Sequence, residues 1–252
     1  MAPWPSYVIN LAENTRRMET SSRQLEAAGL PWRRLEGVNG WAMDDSALAK
    51  VYDADRNAIA AKHPLVPPEI GCYLSHIAAW QAIAEGDAPG GFVFEDDFAA
   101  SDDLGVALTH LSAAQDDWDM VKLFSFDPAP KMIATKPLGP FKIGIPYRVP
   151  TCLIGYGVTR EAARKLVARA IPFFRPVDED QKFFWETGLR VALILPQPVL
   201  VGDQQAETGT IGETRRSTAP GRTGLAGAWH NLKYQLGYET RLRLARFRGQ
   251  GQ

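Results

Sequence analysis

Only two of the 252 residues are cysteine, Cys72 and Cys152, and they stand far apart in the chain. Neither belongs to a Cys-x-x-Cys pair, so no disulfide framework and no zinc spacing can be built from them, and a reducing compartment is the expected home. Long apolar runs are missing too. Nothing approaches the roughly 18 consecutive apolar residues needed to span a bilayer. The opening Met1-Ala2-Pro3-Trp4-Pro5 has neither the basic start nor the apolar stretch of a secretory signal, which leads to the expectation of a cytoplasmic protein. Gly155-Tyr156-Gly157 has no third glycine at the spacing of a dinucleotide fingerprint, so a Rossmann cofactor site is not expected. His63, His110 and His230 show no metal-ligand spacing.

What is present is ordinary for a globular protein: 45% hydrophobic and 23% charged residues, with 7 Trp and 11 Phe, enough for a large core. The net charge of −1 hides an asymmetry. From Thr214 onward eight basic residues (Arg215, Arg216, Arg222, Lys233, Arg241, Arg243, Arg246, Arg248) face one acid, Glu239. A basic tail on an acidic body points to phosphate, nucleic acid or an anionic membrane surface as its partner. The division expected is a main domain over residues 1–213 and a basic tail over residues 214–252.

The most informative stretch is Gly90-Gly91-Phe92-Val93-Phe94-Glu95-Asp96-Asp97-Phe98. Large apolar residues entered through glycines read as a short buried strand, with three carboxylates where it leaves the sheet. In an extended backbone Glu95 and Asp97 point the same way and Asp96 the other, so Glu95 and Asp97 are expected to converge on Mg²⁺ or Mn²⁺. The plain alternative is a strand that ends in solvated acids.

Taken in order, Tyr7-Val8-Ile9-Asn10-Leu11 reads as a strand and residues 15–28 as a helix stopped by Gly29. A second short strand follows and closes at Asn39-Gly40. This βαβ opening favours an α/β fold with a parallel sheet, whose strand ends would gather Asn10, Asn39 and residues 95–97. Residues 41–68 read as a connection with one short helix. Ile70, Tyr73, Leu74, Ile77, Trp80, Ile83 and Ala84 then trace one face of a helix that carries Ser75 and His76. Residues 107–111 read as helix, Asp119-Met120-Val121-Lys122-Leu123-Phe124 as a core strand, and residues 137–150 as hairpin-like. Next come a strand over residues 152–158 and a helix over residues 160–170 capped by Thr159. A second acidic knot, Asp178-Glu179-Asp180, runs into an aromatic helix. These acids either cap that helix or supply a general base.

The ordered series Asn10-Leu11, Arg16-Arg17, Val38-Asn39-Gly40, Glu69-Ile70-Gly71-Cys72-Tyr73-Leu74-Ser75-His76, Phe94-Glu95-Asp96-Asp97, Gly155-Tyr156-Gly157-Val158 and Pro176-Val177-Asp178 resembles glycosyltransferase family 25. That family includes bacterial lipooligosaccharide galactosyltransferases and collagen galactosyltransferases. The resemblance implies a GT-A type α/β fold with a mixed, mainly parallel sheet flanked by helices. It also implies inverting transfer of a hexose, galactose first, from a UDP-sugar to a glycan or lipid-linked oligosaccharide, with the lipopolysaccharide core as the expected acceptor. In that scheme Asp97, helped by Glu95, holds Mn²⁺ (or Mg²⁺), and Asp178 is the base, with Glu179 and Asp180 as substitutes. Arg16 and Arg17 meet phosphate. Asn10, Leu11, Asn39, Gly40, Ser75, His76, Glu95 and Asp96 line the nucleotide-sugar pocket. A catalytically silent binding module of the same fold is the alternative; a receiver-type phospho-acceptor pocket fits less well, because such domains are about half this length.

The tail, from Trp229, mixes Leu232, Leu236, Leu242, Leu244 and Phe247 with Lys233, Arg241, Arg243, Arg246 and Arg248. It is expected to lie as a basic amphipathic helix on the inner face of the cell membrane, or else to dock on the body; nucleic acid is not an expected partner.

Overall fold

The computed structural model describes residues 2–203 and 224–251. It opens with β1 (Ser6–Asn10), α1 (Thr15–Ala27) and β2 (Trp32–Glu36), and β1 and β2 pair in parallel as a βαβ unit. Two short helices, α2 (Asp45–Val51) and α3 (Ala54–Ala60), fill the connection expected to hold one. Each has about two turns, too few to show a period. Asp44 and Asp53 cap them, accepting from the Ala47 and Arg56 N–H at 2.7 and 2.8 Å.

α4 (Pro67–Glu85) starts with a proline in its first turn, and Glu69 reaches back to accept from the Val66 N–H at 3.0 Å. Ile70, Tyr73, Ile77, Trp80 and Ile83 are buried. At about 1.5–3 kcal/mol for each large apolar side chain, this face is what holds α4 to the sheet. β3 (Gly90–Glu95) and β4 (Phe98–Ala100) follow, then α5 (Leu104–Ala113), β5 (Met120–Lys122) and the hairpin β6 (Met132–Leu138) with β7 (Phe141–Pro146). β8 (Gly155–Thr159) leads into α6 (Arg160–Arg169), where the Thr159 hydroxyl accepts from the Ala162 N–H at 3.2 Å. The expected aromatic helix is broken into α7 (Val177–Asp180), a 3-10 turn (Gln181–Phe183) and α8 (Phe184–Thr187). β9 (Val191–Leu195), β10 (Val199–Val201) and α9 (Gly224–Phe247) complete the described elements.

Among the described residues eight strands form one sheet in the order β2-β1-β3-β8-β5-β9-β7-β6. Three neighbouring pairs are parallel and four antiparallel, so the sheet is mixed and not mainly parallel. Each parallel pair needs a crossover, whereas the β6–β7 hairpin and the reversed β8 need none. β1, β3 and β5 run the same way. Asn10, Glu95 and Lys122 therefore end at one edge of the sheet, and the antiparallel β8 begins there at Gly155. Helices cover both faces: α4 and α6 lie on the side of Val93 and Tyr156, where α9 joins the same apolar cluster, and α1 and α5 lie on the side of Phe92 and Phe94. The expected division at 213/214 and the tail residues Arg215, Arg216 and Arg222 lie outside the described residues.

Candidate active site

The acidic stretch divides at the strand's end. Val93 packs on the α4 side and Phe92 and Phe94 on the α1 side, so period-two alternation carries Glu95 to α4. There its Oε1 lies 3.2 Å from His76 Nε2. Asp96 faces α1 as expected, accepting from Asn10 Nδ2 at 2.7 Å and Arg17 Nη1 at 3.0 Å. Asp97 no longer alternates, because β3 ends at Glu95 and the chain turns at residues 96 and 97. It lies 3.8 Å from Nη2 of the same Arg17. An extended i, i+2 pair is therefore not the geometry of Glu95 and Asp97. Burial holds the Asp96 carboxyl above its usual range, against the lowering effect of Asn10 and Arg17.

His76 is buried and its ring is placed by a relay. The Trp80 indole can only donate, and it gives its N–H to Tyr156 Oη at 2.8 Å. A carboxylate can only accept, so Glu95 assigns the ring proton to Nε2, and Nδ1 is left to accept from the Tyr156 hydroxyl, 3.0 Å away. Every polar atom in that chain has a partner, so Glu95 is held from behind.

The second knot separates by partner. Asp178 Oδ2 accepts from the Cys152 N–H at 3.1 Å, and Oδ1 from the Glu179 N–H at 2.8 Å. Glu179 turns away, 3.6 Å from Lys62 Nζ and 3.4 Å from the Tyr234 hydroxyl of α9. Asp180 accepts from Tyr73 Oη at 2.8 Å and pairs with the buried Arg175 at 2.6 Å. Of the three acids, Asp178 is the one turned to the same edge as Glu95. None of the three caps α7 through its side chain.

Both cysteines join this edge, which their distance in sequence concealed. The Cys72 thiol is held well above its usual range, first by burial and then by the charges of Glu95, Asp178 and Asp97. Cys152 is pushed up to about 12 by burial and Glu95. Its backbone takes φ of 74°, a left-handed conformation rare for a side-chain-bearing residue. Two side chains brace that turn: Asp178 on the N–H side, and Lys122, whose ammonium donates to the Cys152 carbonyl.

Lys122 is fully buried, and burial lowers it from 10.5 to about 8 despite the raising charges of Cys152, Asp178 and Glu95. A charged Lys122 thus costs the fold about 3 kcal/mol below pH 8. The unfolded chain keeps its proton up to about 10.5, so stability rises with pH between 8 and 10.5 as the native amine is already neutral. Lys122→Met removes this cost and also a hydrogen bond, a pH-independent loss of about 1–3 kcal/mol. The expected result is that wild type gains about 3 kcal/mol on the variant between pH 8 and 10.5 in urea unfolding. A difference that stays flat across that window would show that Lys122 is not a buried, titrating charge.

The remaining expected residues are mostly bracing. Asn39 caps the 3-10 turn Gly40–Ala42 by accepting from the Trp41 N–H at 3.0 Å. Ser75 accepts from the Val38 N–H at 2.8 Å and donates to the Gly71 carbonyl at 2.8 Å, tying this loop to α4. A Cβ on Gly40 would meet the Pro67 carbonyl oxygen at 1.7 Å, so the contact requires glycine. Leu11 is half-buried below Gly37, and Arg16 lies exposed on the first turn of α1. Arg34, which nothing in the sequence singled out, donates to Asn10 Oδ1 at 3.0 Å. Cys72 and Lys122 did leave signals: a Cys-x-x-x-His spacing, and a lysine inside an apolar strand.

α9 docks on the body beside this second knot. Tyr238, Leu242 and Ala245 are buried, with Tyr238 5.4 Å from Phe183 and 5.6 Å from Trp185 between ring centroids. Arg246 turns inward, donating to the Pro146 and Tyr147 carbonyls at 2.6 and 3.1 Å. Leu242 and Arg246 are thus packing residues and not part of a free interfacial face. Trp229, Leu232, Leu236, Leu244 and Phe247 stay exposed. Among the described residues no helix is long and apolar enough to cross a membrane.

Residues 4–180 match the family described as Glycosyltransferase family 25 (LPS biosynthesis protein). Over 188 residues the chain is 28% identical to procollagen galactosyltransferase 2 of Mus musculus, covering 69% of this chain and 29% of that protein. The human protein of that name is 27% identical over 187 residues, again 69% of this chain and 29% of its own length. A human relative named inactive glycosyltransferase 25 family member 3 is 25% identical over 182 residues, 69% of this chain and 30% of that one. The chain thus spans under a third of the length of these relatives.

Proposed function

This chain belongs to glycosyltransferase family 25, and from that premise we propose that it transfers a hexose, galactose first, from a UDP-sugar to a hydroxyl of a glycan acceptor, with inversion and on a GT-A type fold. The observation that supports this most is that acids from two segments reach one edge, Glu95 within 4.8 Å of the Cys72 sulfur and Asp178 on the Cys152 N–H, and that their charges together with that of Asp97 raise the Cys72 thiol. Acids on separate elements suit two jobs, holding the donor's charged end and taking a proton from the acceptor.

Glu95, Asp97 and Asp178 offer hard carboxylate oxygens, the donor chemistry that suits Mn²⁺ or Mg²⁺, so the residues fit such an ion. Asp97 with Glu95 would hold it, and when bound it would neutralise charge growing on the departing UDP. His76, fixed through Tyr156 and Trp80, keeps the Glu95 carboxylate oriented. Arg17 offsets the charge of Asp96 and Asp97. Asp178 takes the acceptor's proton as the sugar moves, and its two backbone hydrogen bonds keep it aimed. The test is a transfer and hydrolysis screen of UDP-galactose, UDP-glucose and UDP-N-acetylhexosamines with and without Mn²⁺. A sugar-selective, metal-dependent signal is expected.

The relative named inactive favours one second reading, a silent module that binds nucleotide sugar or glycan. It predicts thermal shifts with a donor but no turnover in the same screen.

For the acceptor we propose a lipid-linked oligosaccharide met at an anionic bilayer. Trp229, Leu232, Leu236, Leu244 and Phe247 project outward on α9 among the exposed Lys233, Arg241, Arg243 and Arg248. Each cation near an anionic leaflet contributes about 1 kcal/mol. The protein is expected to sediment with anionic vesicles at low salt and to release as salt rises. Because Tyr238 and Leu242 are core, deleting α9 would unmake the body, so the control is Trp229→Ser with Leu232→Ser and Leu236→Ser, which should keep the melting temperature and lose the vesicles. Equal binding by that variant would put the contact elsewhere.

A further inference from the structure

Cys72 and His76 lie four residues apart on α4, so their side chains share a face. Glu95, at the end of β3, meets that face. The Cys72 sulfur, one His76 ring nitrogen and one Glu95 oxygen all lie within 4.8 Å of one another. We propose that Cys72, His76 and Glu95 form a binding site for Zn²⁺, different in chemistry from the oxygen-only site of the acidic residues.

Three observations carry this. The first is spacing. Tetrahedral zinc, with Zn–S near 2.3 Å and Zn–N or Zn–O near 2.0–2.1 Å, sets its ligand atoms about 3.3–3.6 Å apart. His76 Nε2 and Glu95 Oε1 already stand at 3.2 Å. The second is support behind the ligand. With Nε2 on zinc, the ring proton moves to Nδ1 and is donated to Tyr156 Oη, whose two lone pairs accept both it and the Trp80 indole. Metal-bound histidines keep this kind of outer partner. One buried hydroxyl proton then loses its acceptor, a small loss beside a metal–ligand bond. The third is access: Cys72 and Glu95 are half-buried, which leaves the site open on one side for a water or a substrate oxygen as fourth ligand. On binding, the Cys72 thiol releases its proton to solvent, and the resulting thiolate selects zinc over Mg²⁺ and Mn²⁺.

Glu95 is shared with the acidic set, so zinc here withdraws it and slows transfer. That consequence rests on the transferase reading; the binding does not. Cobalt(II) replaces zinc as a spectroscopic probe. Adding it to the full chain should produce thiolate-to-cobalt charge-transfer absorption that zinc abolishes. Cys72→Ser should lose the absorption and bind zinc weaker by at least on the order of the 10–100-fold that loss of an outer partner costs, while Cys152→Ser keeps both. If Cys72→Ser does not fold, Glu95→Gln serves, with a shifted band and the same order of weakening. Zinc inhibition is measured against each variant's own zinc-free rate and should fall with the affinity. Absence of the cobalt band, or its persistence in Cys72→Ser, overturns the site. If no donor is turned over at all, the absorption still reports binding, so that failure remains separate from the failure of the transferase reading.

Discussion

Asp178→Asn slows sugar transfer by on the order of 10² or more, the usual contribution of a general base, and leaves donor binding nearly unchanged. The substitution keeps shape and removes the proton acceptor. Its side effect is predictable. Asp178 accepts from two backbone N–H groups, of Cys152 and Glu179, and an asparagine can accept from only one with its oxygen while its NH₂ faces the other. One N–H is left unpaired, at a cost of about 1–3 kcal/mol. The strained turn at Cys152 makes that cost visible as a lower melting temperature. Catalytic and bracing roles separate by measurement: loss of the base flattens the acid limb of the rate–pH profile, whereas a loosened turn raises KM. Loss of donor binding in Asp178→Asn, with the acid limb intact, would assign the residue to bracing alone. Glu179→Gln serves as a contrast. Glu179 faces Lys62 and Tyr234, and its substitution should change transfer by less than about tenfold, far below the 10² expected of the base.

Asp97→Ala lowers transfer by about 10²–10³, the range that follows loss of one group stabilising developing charge in a preorganised site. Stability falls far less, because the pair Asp97 forms with Arg17 is long, 3.8 Å, while Arg17 keeps its closer bond to Asp96 at 3.0 Å. Asp97 is buried, but its removal leaves the Arg17 guanidinium still paired with Asp96. The loss should deepen at limiting Mn²⁺ and ease as Mn²⁺ is raised, which distinguishes a ligand from a residue that merely orients Arg17. Near-normal activity across the Mn²⁺ titration would remove Asp97 from the metal site. Asp96→Asn is the companion measurement. Asp96 is bound by Asn10 and Arg17 on the α1 side, and its neutralisation should lower the melting temperature more than Asp97→Ala does.

Much of this architecture was legible from local pattern. The helical face of α4 was readable because five large apolar residues recur over its length. Thr159 as a cap was readable because its hydroxyl has one local task. The break in the aromatic helix after Asp180 was not, since Phe183 and Trp185 are placed by Tyr238 and Phe184 by Arg246, both on α9 and distant in sequence. The direction of the strands was misjudged for a related reason. A short apolar run such as β9 reads the same whether its neighbour runs parallel or antiparallel.

By itself the sequence determined that acids stand where strands leave the sheet, that Glu95 and Asp96 face opposite ways, and that the tail is basic. Those follow from backbone alternation and composition, which are properties of neighbouring residues. Only the tertiary structure decided which of Asp178, Glu179 and Asp180 turns to Glu95, that Asp97 bends back to Arg17, and that Cys72, Cys152 and Lys122 meet at the same edge. Those depend on packing between segments far apart in the chain. Burial holds both thiols protonated, lowers Lys122 to about 8 and leaves His76 one arrangement of partners, none of which any single segment specifies.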